Sequence, residues 1–175
     1  LPGSNEVIGE VHGPPQANLL STDADNFSLT VGQGFQLTAI NILAFSYSPA
    51  TTPARPLSFA GVQAGGQITS TTSGAALLGA TLFGNQAPYP GVGGDLLAAL
   101  AGGPTLLAGS GFTPPLGSGQ YTFWVQEGNG STSYDFAFQI TPDPIPEPSS
   151  LALFALGGLA LAGWRWRRRK QQHAV

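Results

Sequence analysis

Cysteine is absent from the 175 residues, which excludes a disulfide framework, a thiolate metal site and a thiol nucleophile. Histidine is nearly absent as well: His173 lies close to the C-terminus, which leaves His12 as the imidazole of the main body. Charge is scarce, at 9% of residues. Six basic and nine acidic side chains give a formal net charge of −3, but they are unevenly spread. Arg165, Arg167, Arg168, Arg169 and Lys170 crowd into one short run, so residues 1–148 hold Arg55 alone against nine acids, a net of −8. A body without a basic face cannot neutralise phosphates, and nucleic acid is excluded as its partner.

Glycine and proline are plentiful, at 25 and 15 residues. Such a composition can signal disorder, but 42% hydrophobic and 10% aromatic residues are too many for a chain that buries nothing. One turn-rich, all-β domain of short strands fits both facts and the length. Low charge with abundant serine and threonine suits an extracytoplasmic surface.

Period-two alternation locates the strands. Phe27, Leu29 and Val31 alternate with Asn26, Ser28 and Thr30; after Gly32-Gln33-Gly34 the pattern resumes at Phe35, Leu37 and Ala39. Ile40 to Tyr47 is a further strand with a phase change at a bulge. Leu57-Ser58-Phe59 is a short strand, and Gln67 to Thr72 an edge strand. Tyr121, Phe123 and Val125 are matched by Tyr134, Phe136, Phe138 and Ile140 across a loop containing Asn129-Gly130, which predicts a hairpin. Trp124 points away from its apolar neighbours, either covered by another element or exposed for binding. Residues 74–119 are read as an apolar connection in which Asp95 caps a short helix through Leu96–Leu100.

The C-terminus is organised differently. Residues 142–148, Pro-Asp-Pro-Ile-Pro-Glu-Pro, admit neither helix nor central strand and form an extended spacer of about 3.1 Å per residue. Ser149 and Ser150 then cap an uncharged apolar run from Leu151 to Trp164. As a helix that run spans about 21 Å, short of the roughly 30 Å hydrocarbon core. Interfacial Trp164 and Trp166 and a snorkelling Arg165 extend it. The basic cluster Arg165, Arg167, Arg168, Arg169 and Lys170 stops transfer and stays cytoplasmic by the positive-inside rule. A buried core helix is the competing reading, but a run apolar all round and flanked by prolines and five cations fits a core badly. The expected organisation is a β-sandwich domain over 1–141, a spacer over 142–148, a transmembrane sorting helix over 149–164 and a basic tail over 165–175.

Pro146-Glu147-Pro148, the two serines, the short Leu/Ala/Gly helix and the arginine-rich end together resemble the PEP-CTERM sorting signal of Gram-negative bacteria. The resemblance implies processing near Pro146, Glu147 and Pro148 by an exosortase, a membrane-embedded, cysteine protease-like transpeptidase. It also implies export by the general secretory pathway, a precursor held in the inner membrane with its N-terminal domain outside, and an association with exopolysaccharide or biofilm. The sequence opens at Leu1 with neither methionine nor leader, which fits a leader already removed or a fragment. In the body, Asp23-Ala24-Asp25-Asn26-Phe27-Ser28-Leu29-Thr30-Val31 and Leu116-Gly117-Ser118-Gly119-Gln120-Tyr121-Thr122-Phe123-Trp124-Val125 resemble the bacterial pre-peptidase C-terminal domain. That resemblance implies a jelly-roll-like antiparallel β-sandwich, some relatives of which bind calcium.

Candidate chemistry is sparse. Asp23 and Asp25 offer carboxylate oxygens to calcium, which takes about six to eight, although an Asp pair before a strand also reads as a solvated turn. No cofactor other than calcium is implied. A triad would need His12 as base; no Gly-x-Ser-x-Gly elbow is present, and His12 beside Gly13-Pro14-Pro15 reads as a loop residue. The sequence therefore points to a non-enzymatic exported surface or extracellular-matrix protein. The alternative is a carbohydrate-binding or adhesin module displaying Trp124, Tyr89 or Tyr47, and the third reading is a small secreted hydrolase.

Overall fold

A computed structural model of the chain describes residues 3–13, 23–49, 56–69, 76–102, 109–127 and 130–144. The described residues belong to the unit Leu1–Asp143, apart from Pro144 of a second unit, Pro144–Val175. The transmembrane helix expected over 149–164 and the basic tail lie outside the described residues. Among the described residues no helix is long and apolar enough to cross a membrane.

Seven strands and one helix follow in order: β1 (Gly3–His12), β2 (Ala24–Val31), β3 (Phe35–Pro49), β4 (Leu57–Ala64), β5 (Gly79–Gly84), α1 (Leu96–Gly102), β6 (Gly119–Gln126) and β7 (Gly130–Pro142). They form two antiparallel sheets, ordered β1-β7-β3 and β2-β6-β4-β5, an all-β sandwich. β1 to β4 alternate between the sheets, and so do β6 and β7.

Alternating inward residues build one core. Leu37, Ile40, Ile42, Phe136, Phe138 and Phe83 are all at most 1% exposed. Aromatic rings meet across the two sheets: Phe123 lies edge-on to Phe138 at 5.2 Å, and Phe83 to Phe136 at 5.3 Å. Each such ring contributes about 1.5–3 kcal/mol by burial, and the edge-to-face pairs add to it.

The phase change expected within Ile40–Tyr47 becomes two register shifts in one continuous β3, between Leu37 and Ala39 and between Ile42 and Ala44. Each extra residue moves the next side chain to the other face. Leu37, Ile40, Ile42 and Phe45 are therefore all buried despite their uneven spacing, while Leu43 is left 48% exposed. The free edge of β3 is covered: Leu37 and Leu116 exchange backbone hydrogen bonds, and Gly93 N–H donates to the Ile42 carbonyl at 2.8 Å. Asp95 caps α1 as expected, its Oδ1 accepting from Leu97 N–H at 2.9 Å. The same oxygen accepts from Ile40 N–H at 3.0 Å, which ties the helix to β3.

The expected hairpin is not one. β6 and β7 belong to different sheets, so the chain changes sheet between them. Glu127 makes the crossing possible: only 3% exposed, its Oε2 accepts from Ser58 Oγ at 2.7 Å and Thr132 Oγ1 at 2.9 Å. Its carboxylate ties β4 in one sheet to β7 in the other. Further differences concern shorter pieces. No clean period-two pattern marks β1, because Gly9 inside and Ile8 outside break the alternation of Val7 and Val11. His12 is the last residue of β1, paired with Ser131, and not a loop residue. The strand expected at Leu57–Phe59 runs on to Ala64. Gln67–Thr69, the described part of the expected edge strand, is held instead by the Gln63 side chain, which exchanges hydrogen bonds with Thr69. β7 reaches Pro142 and Asp143 N–H donates to the Gly34 carbonyl at 2.8 Å, so the first unit extends two residues past 141.

Replacing Glu127 by alanine is expected to destabilise the protein by about 2–3 kcal/mol, since two buried hydroxyls lose their acceptor. Asp95→Ala is expected to cost about 1–2 kcal/mol through the lost cap. Thr30→Ala, on an exposed position of β2, should stay within about 0.5 kcal/mol. Urea unfolding of the three variants checks the order.

Candidate functional site

The two sheets meet at one side along their edge strands, β1 above and β2 below. A sandwich normally fills that side with apolar side chains from both edges. Here the inward position of β1 next to Tyr134 is Gly9. A Cβ there would collide with the phenol of Tyr134 and come within 2.7 Å of Asp25 Oδ2. Without it, Tyr134 reaches across and donates to Asp25 Oδ2 at 2.7 Å. The edge is thus closed by a polar bridge, and a groove of about 300 Å³ remains. Gly9, Glu10, Asp25, Asn26, Phe27 and Tyr134 line it, with Ile8 at its rim, 74% exposed.

The bridge sets the electrostatics of the groove. Burial, the hydrogen bond to Asp25 and the negative charges of Asp25 and Asp23, in that order, push the Tyr134 phenol far above the ordinary tyrosine range. On the outer face of the same sheet, the hydrogen bond with Asp135 and that residue's charge raise the Glu6 carboxyl. Among the described residues no basic side chain lines the groove.

Of the expected calcium ligands, Asp25 lies in the groove and is engaged by Tyr134, whereas Asp23 is exposed at the foot of β2. Among the described residues no group of three His, Asp or Glu comes together that could hold a metal ion.

Trp124 is not an exposed platform. It is 5% exposed, packed on the outer face of its sheet with Leu77 and Ala80 and edge-on to Phe59 at 4.6 Å. It pairs with Gly61 on β4, and the missing side chain there leaves room for Phe59 and Leu77. Tyr47 is half-buried against the main core, and Tyr89 lies in the connection between β5 and α1. His12 Nδ1 is 2.7 Å from Ser131 Oγ, and its Nε2 is 3.8 Å from Glu10 Oε1. These are the residue types of a triad, but the carboxylate is beyond hydrogen-bond reach and both the His12 and Glu10 side chains are 56% exposed. The contact lacks the oriented, desolvated base that an activated nucleophile requires. Pro146, Glu147, Pro148 and the cluster Arg165, Arg167, Arg168, Arg169 and Lys170 lie outside the described residues.

The groove escapes sequence reasoning because its maker is an absent side chain. Gly9 in an otherwise alternating segment was the available signal, since glycine in a strand often marks a close approach.

A raised phenol gives alkaline lability a definite sign. The folded pKa of Tyr134 exceeds the unfolded value of about 10, so its stabilisation is full below pH 10 and is lost as pH rises through the folded value. One tyrosinate absorbance step is therefore expected to coincide with alkaline unfolding, and Tyr134→Phe should remove that step and flatten the alkaline decline. Parallel absorbance and circular-dichroism titrations check this.

Comparison with known proteins concerns the other end of the chain. No curated protein and no solved structure matches. The body's resemblance to the pre-peptidase C-terminal domain is not supported by any match. Residues 144–169 match the family model of the PEP-CTERM protein-sorting motif, which supports a PEP-CTERM protein, exported and targeted to an exosortase.

Proposed function

We propose that this chain is a non-enzymatic protein of the cell surface or extracellular matrix, delivered by its C-terminal tail. The observation that carries the proposal is the sorting motif over residues 144–169. Pro146, Glu147 and Pro148 present the processing enzyme with an extended, proline-stiffened segment. Leu151 to Trp164 hold the precursor in the inner membrane, and Arg165, Arg167, Arg168, Arg169 and Lys170 keep the end cytoplasmic. The membrane state lasts until processing.

The body supports the same reading. Its strand order, β1-β7-β3 against β2-β6-β4-β5 with the chain changing sheet from β1 through β4 and again from β6 to β7, is that of a jelly roll in which the loops and α1 along β3 replace an eighth strand. An acidic, cysteine-free sandwich suits an exported domain that contributes surface to an exopolysaccharide matrix. The exposed contact among Ser131, His12 and Glu10 gives no support to a hydrolase. The carbohydrate-binding alternative loses Trp124 as its platform.

Intact-mass and C-terminal peptide mass spectrometry on the protein from its native host tests the proposal. The mature protein is expected to lack everything after the Pro146-Glu147-Pro148 region, and a variant carrying Pro146→Ala and Glu147→Ala should retain its tail. Recovery of the wild-type chain with an intact arginine-rich end would overturn processing by an exosortase.

A further inference from the structure

We infer that β1 is the docking edge for a second copy of this chain, the two β1 strands pairing antiparallel about a two-fold axis at Val7. The pairing joins the β1-β7-β3 sheets of both copies into one continuous sheet. The inference goes beyond the sorting reading and does not rest on it.

Unused backbone groups along the edge carry it. β1 stands at the edge of its sheet and pairs with β7 over its whole length without a register shift. The end of the strand shows which way its backbone groups turn. Gly13 N–H donates to the Gly130 carbonyl, on the β7 side, whereas the His12 carbonyl accepts from Asp23 N–H at 3.2 Å on the opposite side. Backbone groups alternate sides from one residue to the next, so Ser4, Glu6, Ile8 and Glu10 each turn an N–H and a C=O away from β7. Among the described residues no hydrogen bond reaches these groups. The other edge of the sheet differs, since β3 is covered by backbone bonds from Leu116 and Gly93. An open edge is commonly blunted by a proline, a lysine or a bulge, and β1 has none of them.

The order of residues selects the partner. The open run Ser4–Glu10 is centred on Val7. A two-fold axis there sets Ser4 against Glu10 of the second copy and Glu6 against Ile8 of the second copy, which pairs every free group of the run at once. A hydroxyl then meets a carboxylate, and Ile8, 74% exposed in one copy, packs on the stem of Glu6. Neighbouring registers bring like charges directly opposite each other, which destabilises a sheet. An axis at Glu6 sets that carboxylate against itself, and an axis at Ile8 sets Glu6 against Glu10. An axis at Gly9 needs the His12 carbonyl, which Asp23 already engages. On the inner face Val7 meets Val7 of the second copy across the open side of the groove that it lines with Gly9 and Tyr134. Any extended strand can satisfy backbone groups; a copy of β1 also matches this run in length, centre and charge order.

The test uses the full chain in detergent micelles. Because cysteine is absent, single substitutions report the register through disulfide formation in a glutathione buffer. Val7→Cys is expected to give a covalent dimer, since a non-hydrogen-bonded pair sets its Cα atoms about 4.5 Å apart, within disulfide reach. Ile8→Cys sits two residues out of register with its own copy, and Ser46→Cys is on an exposed position of β3. Both are expected to cross-link at least about tenfold less, because their Cα atoms stand more than about 7 Å apart. Sedimentation in density-matched detergent is expected to show a wild-type dimer with a dissociation constant of about 10 μM. Ile8→Pro removes one edge N–H and leaves the ladder with β7 intact, so it should keep the wild-type circular dichroism and weaken the dimer at least about tenfold. If Ile8→Pro fails to fold, the disulfide series decides alone. A wild-type chain that stays monomeric up to about 0.1 mM overturns the inference. So does an Ile8→Pro protein that dimerises like the wild type, which is the outcome expected if the apolar tail does the pairing. Cross-linking of Ile8→Cys or Ser46→Cys as readily as Val7→Cys overturns it as well.

Discussion

Four of the six connections between the described strands carry the chain from one sheet to the other, and the rest of the structure answers to that constraint. A crossing brings polar backbone and loop residues to the rim of an apolar core, where each buried polar group needs a partner. Where β6 gives way to β7 the demand is met by Glu127, whose carboxylate accepts from Ser58 and Thr132 and joins both sheets. The connection from β1 to β2 meets it with Tyr134 and Asp25, again one group from each sheet. Both devices put an acid against a hydroxyl at an end or side of the sandwich, with aromatic rings filling the space between. The cost of burying such a carboxylate is offset only while the hydroxyls stay in place, which is why truncation there weighs more than at an exposed strand position.

The aromatic core explains why so few charges suffice. Phe27, Phe123 and Phe138 form one group of rings across the two sheets, and Phe45, Phe83, Tyr134 and Phe136 form another. The bulges in β3 are needed to complete the second group. Without the shift between Ile42 and Ala44, Phe45 would turn to the outer face and Phe83 would lose its edge-on partner at 5.5 Å. The Tyr134 phenol that closes the groove is therefore held by its ring in the core, stacked on Phe136 at 4.6 Å. Core and groove share one side chain, so the geometry of the site is as rigid as the core behind it.

How much of this was legible in the sequence depends on whether the signal was local. The alternation at Phe27–Val31 and Tyr134–Ile140 and the cap at Asp95 could be read, because period and capping are properties of neighbouring residues. Two strands joined by Asn129-Gly130 look like a hairpin whether they pair with each other or face each other across a core, since both arrangements bury the same alternate residues. Only Glu127, an acid just before the loop, hinted at the second. Trp124 shows the same limit from the other direction. Its position off the apolar face was plain, but its cover of Leu77 and Ala80 comes from a stretch with no clear periodicity. β5 lay in that stretch too, with five of its six residues buried and no polar partner face to mark it.

The two ends of the molecule thus differ in how they hold information. A sorting tail carries its meaning in order and composition: prolines, an apolar run, then arginines. A linear pattern over residues 144–169 is sufficient to recognise it. The groove depends on a side chain that is missing at Gly9 and on a tyrosine more than a hundred residues away that occupies the space. Gly9 resembles many turn glycines until Tyr134 is placed against it. Replacing Gly9 by alanine would change little in any linear pattern, yet it would push against the phenol, the Asp25 carboxylate and the alignment of the two edge strands together. Sorting can therefore survive extensive drift in the body, while the groove can be lost through a single methyl group.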